Sequence, residues 1–270
     1  CGGCRRATIV RAISMSRIVP LGLNGYFPSQ GRQTMSFLVL AADGVLMLDA
    51  GTGVARLFEP RLRALLEPYR ELHIVLSHYH LDHVAGLAYL PAVWGRGVRL
   101  HAPAAPLVDA EPEDVLDRLL APPLFPSSWR SFGLAVEAVR EERVRITGIE
   151  TRLWRQPHPG GSVGVRVGDE LAYLTDTASG PEVASRVRGV RLLLHELWAT
   201  GEQAAEAAGK GHSHFDAVAE LVRRSSVPLV MLIHHHPGRS DEEIAGLAQR
   251  MERETGARVL PGLEGEVYEF

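Results

Sequence analysis

Four residues able to hold a metal stand within six positions of this chain: His78, His80, Asp82 and His83, in Ser77-His-Tyr-His-Leu-Asp-His83. Imidazole nitrogens and carboxylate oxygens are the donors that zinc and similar metals take, and several must converge on one point. In extended or looped backbone, residues two apart project to the same side. His78 and His80 can therefore share one ion, while Asp82 and His83 reach a second beside it. A polar surface loop is the bland alternative; four donors in so short a run set it aside. Other donors lie far along the chain. Asp176 ends the apolar run 171–175, where a buried lone carboxylate is costly without a cation partner. His158 stands among prolines and glycines in Gln156-Pro-His-Pro-Gly, a loop signal. The triplet His234-His235-His236 follows Met231-Leu-Ile. All three cannot serve one ion; the strand-end position favours His234, with His235 next.

Elements must bring these donors together, and the pattern supplies them. Apolar runs at 37–40 and 45–48 flank Asp43-Gly44, a hairpin signal. An amphipathic helix is expected over roughly 54–67, stopping before Pro68. Leu72-His-Ile-Val-Leu76 reads as a buried strand that delivers the His78 run, and 98–101 as another. The stretch 102–133 breaks the rhythm with Ala, Pro and one acidic helix near 112–121, which suits a surface insertion or lid. Strands then resume near 134–139, 143–146, 149–155, 163–167 and 171–175. Strand 190–194, helix 214–224, strand 228–233, helix 240–254 and a last strand at 257–260 follow. Strand-dense stretches interleaved with helices in both halves fit an α/β (α+β) fold, two sheets face to face with helices outside. No linker, repeat or low-complexity block divides it, so 15–270 reads as a single domain.

Composition narrows the partners. The chain has 270 residues, 46% hydrophobic and 23% charged, which excludes a disordered or fibrous protein. No apolar run approaches the roughly 18–20 residues that span a bilayer. Net charge is −3, so there is no basic field for gripping nucleic acid. Both cysteines lie in Cys1-Gly-Gly-Cys4, leaving the body without a disulfide framework, and a reducing cytoplasm is the natural reading. Residues 1–14 read as a disordered or non-native leader, without the long apolar core of a signal peptide.

The His-x-His-x-Asp-His run, followed by lone His and Asp residues at strand ends, resembles the metallo-β-lactamase superfamily from about residue 18 onward. The resemblance implies a four-layer αββα sandwich and two divalent ions, zinc first, with manganese or iron also accepted by such donors. It places His78, His80 and His158 on the first metal and Asp82, His83 and His234 on the second, with Asp176 bridging. Asp49, in Asp49-Ala-Gly-Thr-Gly53, resembles the motif whose Asp supports the metal loop from behind. Leu194-His195-Glu196 and Gly211-His212-Ser213 resemble the ribonuclease Z and phosphodiesterase branch, as does the start, Leu21 to Ser36. There a Glu and a His, here Glu196 and His212, assist protonation of the leaving oxygen.

The expected activity is a dinuclear metal-dependent hydrolase acting on a phosphodiester through a hydroxide shared by the ions, with Asp82, Glu196 and His212 as catalytic residues. The expected substrate is a small or nucleotide-like diester. The chain lacks the long arm with which ribonuclease Z grips transfer RNA, so nucleic acid is not favoured. Related enzymes are often dimers, and the resemblance implies a homodimer. Three other readings stay open: a hydrolase of thioesters, lactones or lactams; a ribonuclease Z-like tRNA endonuclease; and a non-catalytic metal-stabilised binding module. In the 102–133 segment Phe125 and Trp129 are candidate substrate contacts. His101, His195 and His214 read as structural or surface residues, and His73 as strand packing.

Overall fold

In the computed structural model, residues 15–41, 44–178, 180–260 and 262–270 are described; the CxxC leader and Asp43 of the expected turn lie outside them. The first half builds one sheet from β1 (Met15–Gly22), β2 (Ser36–Ala41), β3 (Val45–Leu48), β4 (Glu71–Val75), β5 (Gly97–Pro103) and β6 (Leu134–Val139). The second half builds another from β7 (Arg143–Ile146), β8 (Ile149–Gln156), β9 (Ser162–Val167), β10 (Leu171–Leu174), β11 (Leu192–Glu196), β12 (Leu229–Ile233) and β13 (Arg258–Leu260). The final strand β14 (Tyr268–Glu269) returns to the first sheet, giving the orders β14-β1-β2-β3-β4-β5-β6 and β13-β12-β11-β10-β9-β8-β7.

Three apolar layers follow from the alternation along these strands. Ile18, Phe37, Val75, Val165, Tyr173 and Met231 fill the space between the sheets. Val19, Leu38, Leu72, Leu100 and Trp129 meet helices outside the first sheet, and Leu174, Leu193, Phe215 and Val230 do so outside the second. β10, β11 and β12 run parallel and are covered on both faces, so they read as unbroken apolar runs rather than alternating ones. The result is the expected αββα sandwich.

Two local expectations need correcting. The helix read over 54–67 is two pieces, Thr52–Phe58 and Pro60–Leu66. Pro60 disfavours helical backbone at the residue before it, and Glu59 turns extended with ψ at 134°. The 102–133 segment is not surface throughout: Leu116, Leu120 and Trp129 are buried in the layer outside the first sheet and Phe125 packs against it, while 122–124 are exposed. The Trp129 indole N–H donates to Asp117 Oδ1 at 2.7 Å. Phe125 stacks edge-on with Phe132 at 5.0 Å. Proline-rich composition looked like surface because prolines shape the path of this segment, while its few large apolar residues do the anchoring.

Candidate metal centre

The carboxyl ends of β3, β4, β8, β10, β11 and β12 meet at one rim of the sandwich. Asp49 follows β3, His78 follows β4, His158 lies two residues past β8, Asp176 two past β10, Glu196 ends β11 and His234 follows β12. His80 precedes the short helix Leu81–Val84, whose single turn presents Asp82 and His83. Asp49, Asp176 and His234 all have left-handed backbone, with φ of 55°, 47° and 52°. Non-glycine residues enter that region only when their surroundings hold them there. Abrupt strand ends of this kind turn a side chain back across the rim.

Hydrogen bonds behind the rings decide which nitrogens face inward. Asp49 is fully buried and accepts the Ser77 N–H, the Ser77 hydroxyl and the Tyr173 hydroxyl, each at 2.6 Å. Its Oδ2 also lies 2.6 Å from His83 Nδ1, which must donate, so in the neutral ring the lone pair is on Nε2. The Ser77 hydroxyl, having given its proton to Asp49, accepts from His78 Nδ1 at 3.0 Å. His158 Nδ1 donates to the Gly211 carbonyl at 3.0 Å. Three imidazoles thus turn Nε2 lone pairs toward a common space. His78 Nε2 and His83 Nε2 are buried and make no hydrogen bond. His158 Nε2 stands 3.2 Å from His80 Nδ1. Buried, facing lone pairs of this kind fit a cation.

Asp176 divides this space. Its Oδ1 lies 3.4 Å from His158 Nε2 and 3.9 Å from His78 Nε2. Its Oδ2 lies 3.0 Å from His83 Nε2 and 3.1 Å from His234 Nε2. Asp82 Oδ2 faces the second group, 3.4 Å from His83 Nε2 and 3.3 Å from His234 Nε2. Two sets could each hold an ion, one of His78, His80, His158 and Asp176 and one of Asp82, His83 and His234, the donor atoms of each lying within 4.8 Å of one another. A third such set, Asp176, His212 and His234, overlaps the second.

The electrostatics show a site that calls for positive charge, which protons on the rings or a bound cation can supply. Burial works to raise the Asp176 carboxyl, but His234, His83 and His78 hold it well below its ordinary value. Burial opposes charge on His234, yet Asp176, Asp82 and Glu196 around it lift the ring to about 10. His83 is raised well above its ordinary value against the same cost of burial, by Asp82, Asp176 and Asp49. Buried carboxylates in such number demand positive charge beside them.

Glu196, fully buried, joins the rim to its neighbours. It accepts the Thr177 and Ser213 N–H groups at 3.0 and 2.7 Å and His212 Nδ1 at 3.1 Å. Its Oε2 also approaches His234 Nδ1 at 3.3 Å. Burial would raise its carboxyl, but the His212 and His234 contacts hold it below the usual range. His235, the alternative expected beside His234, stands apart. It belongs to none of the donor groups and lines a separate cavity of about 460 Å³ with Leu23, Arg32 and Ile244. His234 lies beyond β12 with left-handed backbone, and the bend there sends the next ring to a different place.

Several contributors had weak sequence signals. Gly25 lies so close to His234 that a Cβ would meet the ring at 2.3 Å, and the next N–H, of Tyr26, donates to Asp82 Oδ2 at 2.6 Å. This strap is held by Glu264, whose carboxylate accepts the Leu23 and Gln33 N–H groups and the Arg56 guanidinium. Trp198 lies on His212, ring centroids 4.7 Å apart and planes at 18°. Ser77 adjoins the metal loop and could have been marked as a donor; Gly25 and Trp198 carried no such mark.

A layered αββα sandwich with imidazoles and carboxylates gathered at its strand ends is the architecture of a metal-dependent hydrolase. The family model described as "Beta-lactamase superfamily domain" matches residues 45–235, and the chain belongs to that superfamily. A ribonuclease Z from Metallosphaera sedula is 28% identical over 262 residues, covering 82% of this chain and 88% of that protein. The metallo-beta-lactamase fold protein YhfI from Bacillus subtilis superposes with a TM-score of 0.76 at 16% identity, over 95% of this chain and all of that one. A diphosphatase of the PhnP family does so with a TM-score of 0.65 at 19% identity, over 94% and 98%. Among the described residues no helix is long and apolar enough to cross a membrane.

Proposed function

We propose that the protein is a dinuclear metal-dependent phosphodiesterase, and that its ions are zinc. The observation that carries this reading is the division of Asp176: Oδ1 faces His78 and His158, and Oδ2 faces His83 and His234. His78, His80 and His158 would hold one ion, Asp82, His83 and His234 the other, with Asp176 shared. Imidazole-rich sets of this kind suit zinc, although manganese and iron accept the same donors. When bound, two such ions lower the pKa of a water, orient a phosphodiester and neutralise charge developing on its oxygens.

The chain's own residues supply the rest. Asp49 fixes the His83 tautomer and, through Ser77, that of His78. The Tyr26 N–H holds Asp82. Glu196 steers His212 by its Nδ1, leaving Nε2 to carry a proton to the leaving oxygen. An acyl ester, lactone or lactam could use the same metals without needing that pair, so the pair favours the diester. The test is a panel of phosphodiesters and acyl esters run on protein of measured metal content, with a chelator arm. Two ions per chain and chelator-sensitive diester turnover are expected. Glu196→Gln and His212→Ala should slow phenyl diesters by roughly 100-fold and nitrophenyl diesters far less, since only the poorer leaving group needs the proton. Full activity after metal removal overturns the mechanism, and two bound ions with no turnover of any class would favour a binding module.

The ribonuclease Z relatives favour a second reading, an RNA endonuclease at the same centre. It predicts cleavage of a transfer-RNA precursor at its 3′ trailer, with affinity falling steeply as salt rises. The net charge of −3 speaks for the smaller diester, and against polynucleotide gripping.

A further inference from the structure

A pocket of about 210 Å³ opens beside the centre, between Trp198 and the helix Ala204–Gly209. His212 lines it. Trp198 stacks on His212, reaches His234 at 5.3 Å between centroids and meets His236 edge-on at 5.0 Å. The rim carries Gln203, Glu206 and Lys210, all exposed, with Lys210 paired to Glu206 at 2.6 Å.

Two features define what fits. The first is the place of His212. If His212 protonates the leaving oxygen, a group seated against it in this pocket is the one bonded to that oxygen. The second is the wall. Trp198, His212 and His236 line it with rings beside Ala199 and Ala207, and the Lys210 ammonium at the rim is paired with Glu206. The volume lies below the roughly 300–1,000 Å³ of sites that take drug-sized ligands, so it holds one ring system rather than a chain. Stacking on an indole suits any flat ring, and the amide, carboxylate and ammonium at the rim suit a ring with polar edges.

We propose that this pocket is the leaving-group subsite, and that the leaving alcohol carries a planar ring of the aryl or nucleoside class stacked on Trp198. In the step, a water oxygen bonds to phosphorus and the P–O bond to the ring-bearing alcohol breaks. The electron pair leaves with that oxygen and the His212 proton caps it. The proton released by the water restores His212, and the products are a phosphomonoester and a free alcohol.

This assignment rests on the phosphodiesterase reading, so its test pairs kinetics with direct binding. Metal-loaded protein is assayed with methyl phenyl phosphate, whose leaving phenol needs the His212 proton, and adenosine is titrated separately by calorimetry. Trp198→Ala should raise KM about tenfold and weaken adenosine by a similar factor at unchanged metal content, with Trp198→Phe close to the parent. If Trp198→Ala does not fold, Ala207→Met, which fills the pocket from its helix wall, makes the same test. A fall in kcat with KM and adenosine binding unaltered would show that Trp198 only holds His212, and overturns the subsite. Failure of the parent protein to bind adenosine or p-nitrophenol overturns it as well. If adenosine binds through Trp198 but no diester is turned over, the pocket stands and the hydrolytic reading falls.

Discussion

His73 and His101 stack ring on ring across β4 and β5, 5.3 Å between centroids, while His78, His83, His158 and His234 gather at the rim. Both groups pair imidazoles with carboxylates inside the same sandwich. In the first, the contacts run in a line: Glu71 to His73 at 3.0 Å, His73 to His101 at 3.0 Å, His101 to Glu137 at 3.1 Å. The two rings are tied to each other, and the outer nitrogens lie beside Glu71 and Glu137, so no set of nitrogens converges on one point. At the rim, Nδ1 atoms are tied back to Asp49, Ser77 and Gly211, and Nε2 lone pairs face one another across a gap that Asp176 divides. Twelve histidines therefore say little; what separates a metal site from a packed pair is where the second nitrogen is anchored.

The sharpest way to break that contrast is to remove the divider. Asp176→Ala should cut turnover by at least ~1,000-fold and leave fewer than two ions per chain by elemental analysis, since both proposed donor sets would lose the carboxylate between them. His73→Ala should change neither. A normal metal content in Asp176→Ala would erase the distinction between the clusters.

A smaller effect tests the anchoring. Asp49→Asn keeps the shape but weakens the acceptor for Ser77, His83 and Tyr173, and should lower metal affinity by roughly 10–100-fold in a competition titration. An unchanged affinity would mean that the backing carboxylate does not select the tautomers.

The smallest effect belongs to the packed pair and is read by pH. Burial first, and then the charge of His73, push His101 down from 6.5 to about 4. The unfolded ring takes its proton near 6.5, so unfolding binds a proton between those values. Stability from this residue is full above 6.5 and is lost as pH falls toward 4, by ~1–3 kcal/mol. His101→Gln should flatten the dependence of thermal midpoint on pH in that window, and an unaltered slope would show that another group carries it.

The sequence was legible where one physical rule acted alone. Period-two and unbroken apolar runs located the core strands to within a residue or two, because burial on one or both faces dictates them. The metal loop was legible because donors must be close to one another. His158, Asp176 and His234 lie far apart in sequence; their resemblance to known motifs placed them together, and the strand ends bring them there. Less was legible where two influences competed. At Pro60 local backbone geometry overrode an apolar period, and at 102–133 three buried apolar side chains overrode a loop-like composition. His235 shows a simpler limit: a left-handed backbone bend separates two neighbouring histidines past a strand end, and residue identity does not announce that bend. Gly25 and Trp198 act through proximity across the fold, which spacing cannot encode.

The Glu264 contacts have a consequence for the chain as a loop closed on itself. β14 pairs with β1, and three residues from Leu23 to Arg56 hang on one carboxylate near the end of the sequence. The strap they support carries Gly25 and Tyr26 to His234 and Asp82. The last nine residues are thus a clasp rather than a tail. A protease nick or fusion that lifts them off β1 would be felt first as a loosened metal centre, before the sandwich itself begins to open.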